Sequence, residues 1–151
     1  STTGNRKLPK PSAAFSFKML KPPPKNVDKA VTYGMHVWRM IQGDHYPFDQ
    51  QKVLGLITRA LQRGFNPAGN TRQLAAILDS PDRTEALNTL TVPSLILHGE
   101  DDPLVLVDCG YATAKAIPNA KIKTYPGMGH TIPSQLYDDI TKQILEHIDA
   151  S

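Results

Sequence analysis

A short apolar run in the second half of the chain, Ser94-Leu95-Ile96-Leu97-His98, stops abruptly at Gly99. A continuous apolar run of this length, without polar alternation, is typical of a strand that is buried on both faces of a parallel sheet. Such a strand needs neighbouring strands and a layer of helices on each face. The run therefore restricts the chain to an α/β architecture.

The segments after this run alternate between helical and extended patterns. A helical stretch covers about 107–117, residues 121–125 alternate like a strand nearer a sheet edge, and a last helix begins near Ser134. We therefore predict that residues 91–151 form the closing βαβα portion of a doubly wound sheet. The strands 94–98 and 121–125 should be parallel, with their C-terminal ends adjacent.

Residues 1–90 have a different character, with a loop followed by helices and no strand pattern. One helix is predicted after Asn26 and another after Asp49, because both residues are good N-caps. A third passes through Leu74, and a short fourth covers 83–87. Because these helices are apolar on one side, we predict a helical lid that packs on another part of the protein.

Composition and charge restrict the partners and the compartment. The net charge is +3, and six basic residues precede the first acid, Asp28: Arg6, Lys7, Lys10, Lys18, Lys21 and Lys25. This segment is proline-rich and has no nucleic-acid motif, so we predict an irregular, solvated connector and no nucleic-acid partner. No apolar run approaches the roughly 18 residues of a membrane span. The single cysteine, Cys109, fits a reducing compartment, and we predict a cytoplasmic location.

Polar residues follow both predicted strands. Strand 94–98 leads into Glu100, Asp101 and Asp102, and strand 121–125 leads into a loop that ends at His130. Sites in open α/β sheets lie beyond the carboxyl ends of the strands. An Asp bonded to Nδ1 of a His fixes the imidazole tautomer and stabilises the imidazolium. Asp102 and His130 are therefore the candidate pair, with Asp101 or Glu100 as alternative acids.

Two of these segments resemble a known family. Residues 92–105 resemble the acid-bearing strand and turn of the α/β-hydrolase family, and Pro126-Gly127-Met128-Gly129-His130 resembles its histidine loop. The order, Asp before His and both after the lid, fits the Ser…Asp…His order of that family. The resemblance implies that Asp102 is the triad acid and His130 the general base. Three further segments are similar to the aclacinomycin-methylesterase-like branch: residues 1–5, residues 46–49, and residues 63–69 with 72–77.

The nucleophile of that family has no counterpart in this sequence, since no Gly-x-Ser-x-Gly elbow occurs in the 151 residues. We predict that the chain is the lid and C-terminal part of a hydrolase, inactive alone, whose partner is an N-terminal half or a second chain. The resemblance implies a serine hydrolase of carboxylic esters or related small apolar substrates, without cofactor or metal. Hydrolysis of epoxides, C–C or C–halogen bonds, and a truncated non-catalytic interaction module, remain alternatives.

Lid residues are candidates for contact with the substrate. We expect His130 to face an apolar cavity beneath the lid. The candidate residues that line this cavity are Met35, Trp38, Tyr46 and Phe48. Plain packing is the alternative interpretation of such a set. His36 and His45 lack the spacing of metal ligands. His98 ends a buried strand, and we predict a structural role for it.

Overall fold

The computed structural model describes residues 3–64 and 66–150. This part of the chain begins with five helices and continues with strands and helices in alternation. The elements in chain order are α1 (Ala13–Met19), α2 (Val27–Gln42), α3 (Gln50–Arg63), α4 (Pro67–Asp79), α5 (Thr84–Leu87), β1 (Leu95–Gly99), α6 (Val107–Ala116), β2 (Lys121–Tyr125), a 3-10 helix (Ser134–Leu136) and α7 (Tyr137–Asp149).

The two strands form a parallel pair, as the sequence predicts. Leu95 lies opposite Lys121 and Gly99 lies opposite Tyr125, so both strands end at the same edge. Helix α6 makes the crossover between them, which is the usual way to connect parallel neighbours. The predicted βαβα portion is confirmed, and β1 is shifted by one residue relative to the predicted strand 94–98.

The predicted N-caps of the two longest helices are also confirmed. The Asn26 side chain accepts a hydrogen bond from a first-turn amide of α2 at 3.0 Å, and Asp49 does the same for α3 at 2.9 Å. The two helices approach closely at Gly34, where a Cβ would lie 3.0 Å from Cδ1 of the buried Ile57. Across the described ranges, no helix combines the length and the apolar character needed to cross a bilayer.

The N-terminal segment is more ordered than the sequence predicts. Residues 13–19 form α1, and the Ser12 hydroxyl caps it by accepting a hydrogen bond from a first-turn amide at 3.2 Å. Thr3 is buried, and its carbonyl accepts a hydrogen bond from the amide of Arg83 at 2.7 Å. The prediction of an irregular connector is therefore wrong over α1, because the Ser12 cap stabilises a helix there.

A buried cluster lies where the sheet, the last helix and the loop after α2 meet. Tyr125 at the end of β2 packs with Met128 of the following loop and Ile140 of α7. Three partly buried side chains complete the cluster: Tyr46, Leu97 and Leu136. The core thus lies directly beneath the edge at which both strands end.

Candidate active site

The acid turn follows β1 and fixes the carboxylate of Asp102. Its Oδ1 accepts hydrogen bonds from the backbone amides of Leu104 and Val105, both at 2.8 Å. An Asp before Pro103 favours such a turn, in which the side chain binds amides two and three positions further on. Asp102 is only 6% exposed. Because Oδ1 is occupied by the backbone, Oδ2 is the oxygen that faces another donor.

That donor is His130, in the loop after β2. Its Nδ1 lies 2.7 Å from Oδ2 of Asp102. Because an ionised carboxylate only accepts hydrogen bonds, Nδ1 carries the proton and Nε2 of the neutral ring keeps its lone pair. The His130 side chain is 37% exposed, so the ring remains accessible. The prediction that Asp102 and His130 are side-chain neighbours is confirmed, and the arrangement allows Nε2 to accept a proton.

The alternative acids do not contact His130. Oε1 of Glu100 accepts a hydrogen bond from the Thr124 hydroxyl at 2.7 Å, which ties that side chain to β2. Asp101 is exposed on the outer side of the turn. Among the three consecutive acids, Asp102 is therefore the partner of His130.

The acid turn and the histidine loop touch through their backbones. The amide of Glu100 donates to the Tyr125 carbonyl and that of Asp101 to the Met128 carbonyl, both at 3.0 Å. A Cβ at Gly99 would lie 2.1 Å from the Met128 carbonyl oxygen, much closer than real Cβ atoms come to other atoms. Glycine is thus required at this position for the two loops to meet.

The C-terminal end of helix α2 is hydrogen-bonded to the histidine loop. The amide of Gly129 donates to the Gln42 carbonyl at 2.9 Å, and the amide of His130 donates to the Ile41 carbonyl at 2.7 Å. A Cβ at Gly129 would lie 2.2 Å from the Gln42 oxygen. The buried Gln42 side chain also binds the Tyr46 carbonyl at 3.0 Å. The sequence analysis missed Ile41 and Gln42, and the glycine at position 129 was a local signal of the close approach.

The four candidate substrate residues do not share one wall. Trp38 lines a cavity of about 30 Å³ between α2, α3 and residues 131–134, and His130 is not among the residues that line it. The Tyr46 hydroxyl donates to the Pro126 carbonyl at 3.3 Å. Phe48 lies beneath the guanidinium of Arg39, and Met35 is half-buried on α2. A substrate-binding role for these four residues stays a prediction.

Other potential ligands lie apart from one another. Within residues 3–64 and 66–150, no group of three or more His, Cys, Asp or Glu side chains is arranged to hold a metal ion. The His45 ring packs edge-on against Tyr46, with ring centroids 4.9 Å apart, and His36 is exposed. Burial raises the pKa of the Cys109 thiol, helped by nearby acidic charge, so the thiol stays protonated and inert.

The electrostatics of Asp102 favour its ionised form. Burial acts to raise the pKa of this carboxyl, but hydrogen bonds from His130, Val105 and Leu104 outweigh it, and the pKa lies below its ordinary value. Asp102 is therefore ionised at neutral pH and can stabilise a positive charge on the imidazole. This matches the charge state that a triad acid requires.

The lowered pKa of Asp102 predicts an acid-sensitive contribution to stability. An Asp with a folded-state pKa below its unfolded value of about 3.9 stabilises the fold above that pH. The contribution is lost as the pH falls through the lower folded-state pKa. We expect Asp102→Asn to show a shallower loss of unfolding free energy between about pH 5 and 2 than the wild type, measured by urea unfolding. Equal acid slopes in Asp102→Asn and wild type would contradict this.

Two known proteins illustrate the similarity of this sequence to others, one over less than half of the chain and one over nearly all of it. A non-heme chloroperoxidase of Burkholderia pyrrocinia is 39% identical over 70 residues, which are 46% of this chain and 25% of that protein. The rhodomycin D methylesterase of Streptomyces peucetius is 24% identical over 157 residues, covering 95% of this chain and 49% of the methylesterase. The chain thus spans about half the length of the methylesterase and a quarter of the chloroperoxidase. No family model matches it.

Solved structures share the fold over most of the chain. An esterase from Rhodococcus superposes with a TM-score of 0.61 at 18% identity, covering 98% of this chain and 48% of the esterase. The enol-lactonase of Burkholderia xenovorans gives a TM-score of 0.65 at 18% identity, covering 89% of this chain and 50% of the lactonase. The described part of the chain therefore has part of an α/β-hydrolase fold, with helices followed by a βαβα portion.

Proposed function

We propose that this chain supplies the acid and the base of a serine hydrolase that acts on carboxylic esters or related small apolar substrates. The observation that carries the proposal is the 2.7 Å contact between Nδ1 of His130 and Oδ2 of Asp102. Nε2 of His130 takes the proton of an attacking serine hydroxyl and later returns it to the leaving group. Asp102 holds the tautomer and stabilises the imidazolium that forms in between.

The nucleophile of this proposal lies outside the 151 residues. Ser94 precedes β1, at the end of the sheet opposite the Asp102–His130 pair, and Ser134 begins the 3-10 helix. Neither is flanked by the glycines of a strained strand-to-helix elbow. An N-terminal half of the hydrolase or a second chain supplies the serine, residues 1–90 act as the lid, and residues 91–151 complete the core.

The substrate class rests on the relatives and on the lid. A methylesterase and a chloroperoxidase are among the similar proteins, and the named esterase and enol-lactonase share the fold. Ester carbonyl groups suit a serine–histidine pair, because the imidazole activates the hydroxyl for attack. Met35, Trp38, Tyr46 and Phe48 are the proposed apolar contacts for the substrate, and the cytoplasm is the proposed location.

The proposal is tested with p-nitrophenyl acetate and a serine-directed phosphonate. We expect the 151-residue chain to show no saturable turnover, and the native protein from its source to show turnover that the phosphonate blocks. The intact mass of the native material should exceed 16.6 kDa, or a second polypeptide should copurify. His130→Ala serves as the control for background hydrolysis by the imidazole.

Two outcomes would contradict the proposal. Saturable turnover by the 151-residue chain, lost in His130→Ala and blocked by the phosphonate, would place the nucleophile among these residues. Native material of 16.6 kDa that is homogeneous and inactive would instead indicate a non-catalytic module.

A further inference from the structure

We propose that His98 is a positioning residue that fixes the carboxylate of Asp102 for its bond with His130. The inference rests on the proposed function of the Asp102–His130 pair and assigns a role to a second imidazole, that of His98. His98 lies on β1, one residue before the strand ends, and its side chain is 10% exposed.

The His98 ring forms a hydrogen bond with the acid turn. Its Nε2 lies 2.8 Å from the carbonyl oxygen of Val105. A carbonyl oxygen can only accept a hydrogen bond, so Nε2 carries the proton and donates it. The contact therefore defines the tautomer of His98 and anchors the far end of the turn that begins at Asp102.

Val105, which His98 anchors, also binds the carboxylate of Asp102. Val105 accepts the His98 bond through its carbonyl, and its amide donates to Oδ1 of Asp102 at 2.8 Å. Oδ2 of the same carboxylate then accepts from His130 at 2.7 Å. A continuous series of hydrogen bonds thus runs from His98 through Val105 and Asp102 to His130. Nε2 of His98 also lies 3.8 Å from Oδ2 of Asp102.

Helix α6 holds the other side of the His98 ring. A Cβ at Gly110 would lie 2.8 Å from Nδ1 and 2.9 Å from Cγ of His98. The ring therefore packs directly on the helix backbone and has no space to rotate away from the acid turn. The imidazole packs against α6 on one side and donates from Nε2 to the Val105 carbonyl, so it holds the acid turn in place.

The chemistry of His98 makes a selective substitution series possible. Gln places its amide nitrogen near the position of Nε2 and keeps a donor for the Val105 carbonyl. Asn is too short to reach that carbonyl, and Leu has similar bulk but no donor. His36→Gln is the matched control, because His36 is an exposed histidine on α2.

The first readout is the low-field proton resonance of Nδ1–H of His130 in the NMR spectrum of the full chain. We expect a resonance beyond the amide range in the wild type, in His98→Gln and in His36→Gln. It should be lost to exchange in His98→Asn and His98→Leu. In the native hydrolase, the latter two variants should lower kcat about 10- to 100-fold with KM within about twofold, because the reacting groups are slightly misplaced.

The outcomes separate this inference from the proposed function. A wild-type chain without the low-field resonance would overturn the paired Asp102–His130 geometry itself. A wild-type resonance that persists unchanged in both His98→Asn and His98→Leu would overturn the role of His98 alone. If His98→Leu does not fold, the Gln and Asn variants decide the question, and equal resonances in these two would refute the positioning role.

Discussion

In the proposed hydrolase, Asp102→Asn is expected to lower kcat about ten-thousand-fold while leaving the fold in place. The amide oxygen introduced at position 102 can still accept the Leu104 and Val105 amides, which bind Oδ1 at 2.8 Å in the wild type. Its NH2 group would then face Nδ1 of His130 and donate to it. The ring proton would move to Nε2, and that nitrogen could no longer accept the proton of the serine.

Asp101→Asn is the matched control for this experiment. Asp101 is exposed, and its contact with the histidine loop is made by the backbone amide, which the substitution keeps. We expect kcat and KM within about twofold of the wild type, since an exposed charge that does not bind His130 contributes little. Both substitutions are introduced into the native protein, and kcat and KM of each variant are measured by steady-state hydrolysis of p-nitrophenyl acetate. Similar losses in Asp101→Asn and Asp102→Asn would contradict the assignment of the acid.

Gly99→Ala is expected to lower the free energy of unfolding by about 3 kcal/mol, the upper part of the range for overpacking. The introduced methyl group would lie 2.1 Å from the Met128 carbonyl oxygen and 2.4 Å from that of Gly129. Both neighbours are backbone atoms, so no side-chain rotation relieves the contact. The acid turn and the histidine loop must move apart, which also weakens the backbone hydrogen bonds that join them. Urea unfolding of the full chain measures the loss.

Gly55→Ala provides the comparison for the stability measurement. Gly55 lies within α3, where the nearest atom to an added Cβ is Nη1 of the flexible Arg59 side chain at 3.4 Å. Alanine is a better helix former than glycine, so we expect a gain of about 0.5–1 kcal/mol. A Gly99→Ala protein as stable as the wild type would show that the two loops do not approach as closely as the structure has them.

Local sequence patterns were sufficient for the elements that carry the site. The caps at Asn26 and Asp49 could be predicted, because a capping side chain acts on amides only three positions away. The parallel strands followed from an apolar run and an alternating run joined by a helix. Asp102 and His130 followed from their places at the strand ends.

Backbone hydrogen bonds between segments that are far apart in the sequence could not be predicted from local patterns. The carbonyls of Ile41 and Gln42 bind amides of the histidine loop, and a carbonyl is present at every position whatever the side chain. For His98 the sequence predicted only a structural role. Its contact with the acid turn could not be predicted, because the partner is also a backbone carbonyl. Likewise, prolines around α1 suggested a loop, although the helix fits between them.

The hydrogen bonds between the end of helix α2 and the histidine loop have a consequence for the order of folding during synthesis. The last carbonyls of a helix have no partner within the helix itself. For α2, two of these partners are amides of Gly129 and His130, and the nearby contact between Tyr46 and Pro126 joins residues 80 positions apart. Because the ribosome releases the chain from the N-terminus, the end of α2 emerges long before the loop that closes it. We expect its last turn to fray until residues 129 and 130 have been made, so that the end of α2 and the imidazole of His130 reach their final positions together.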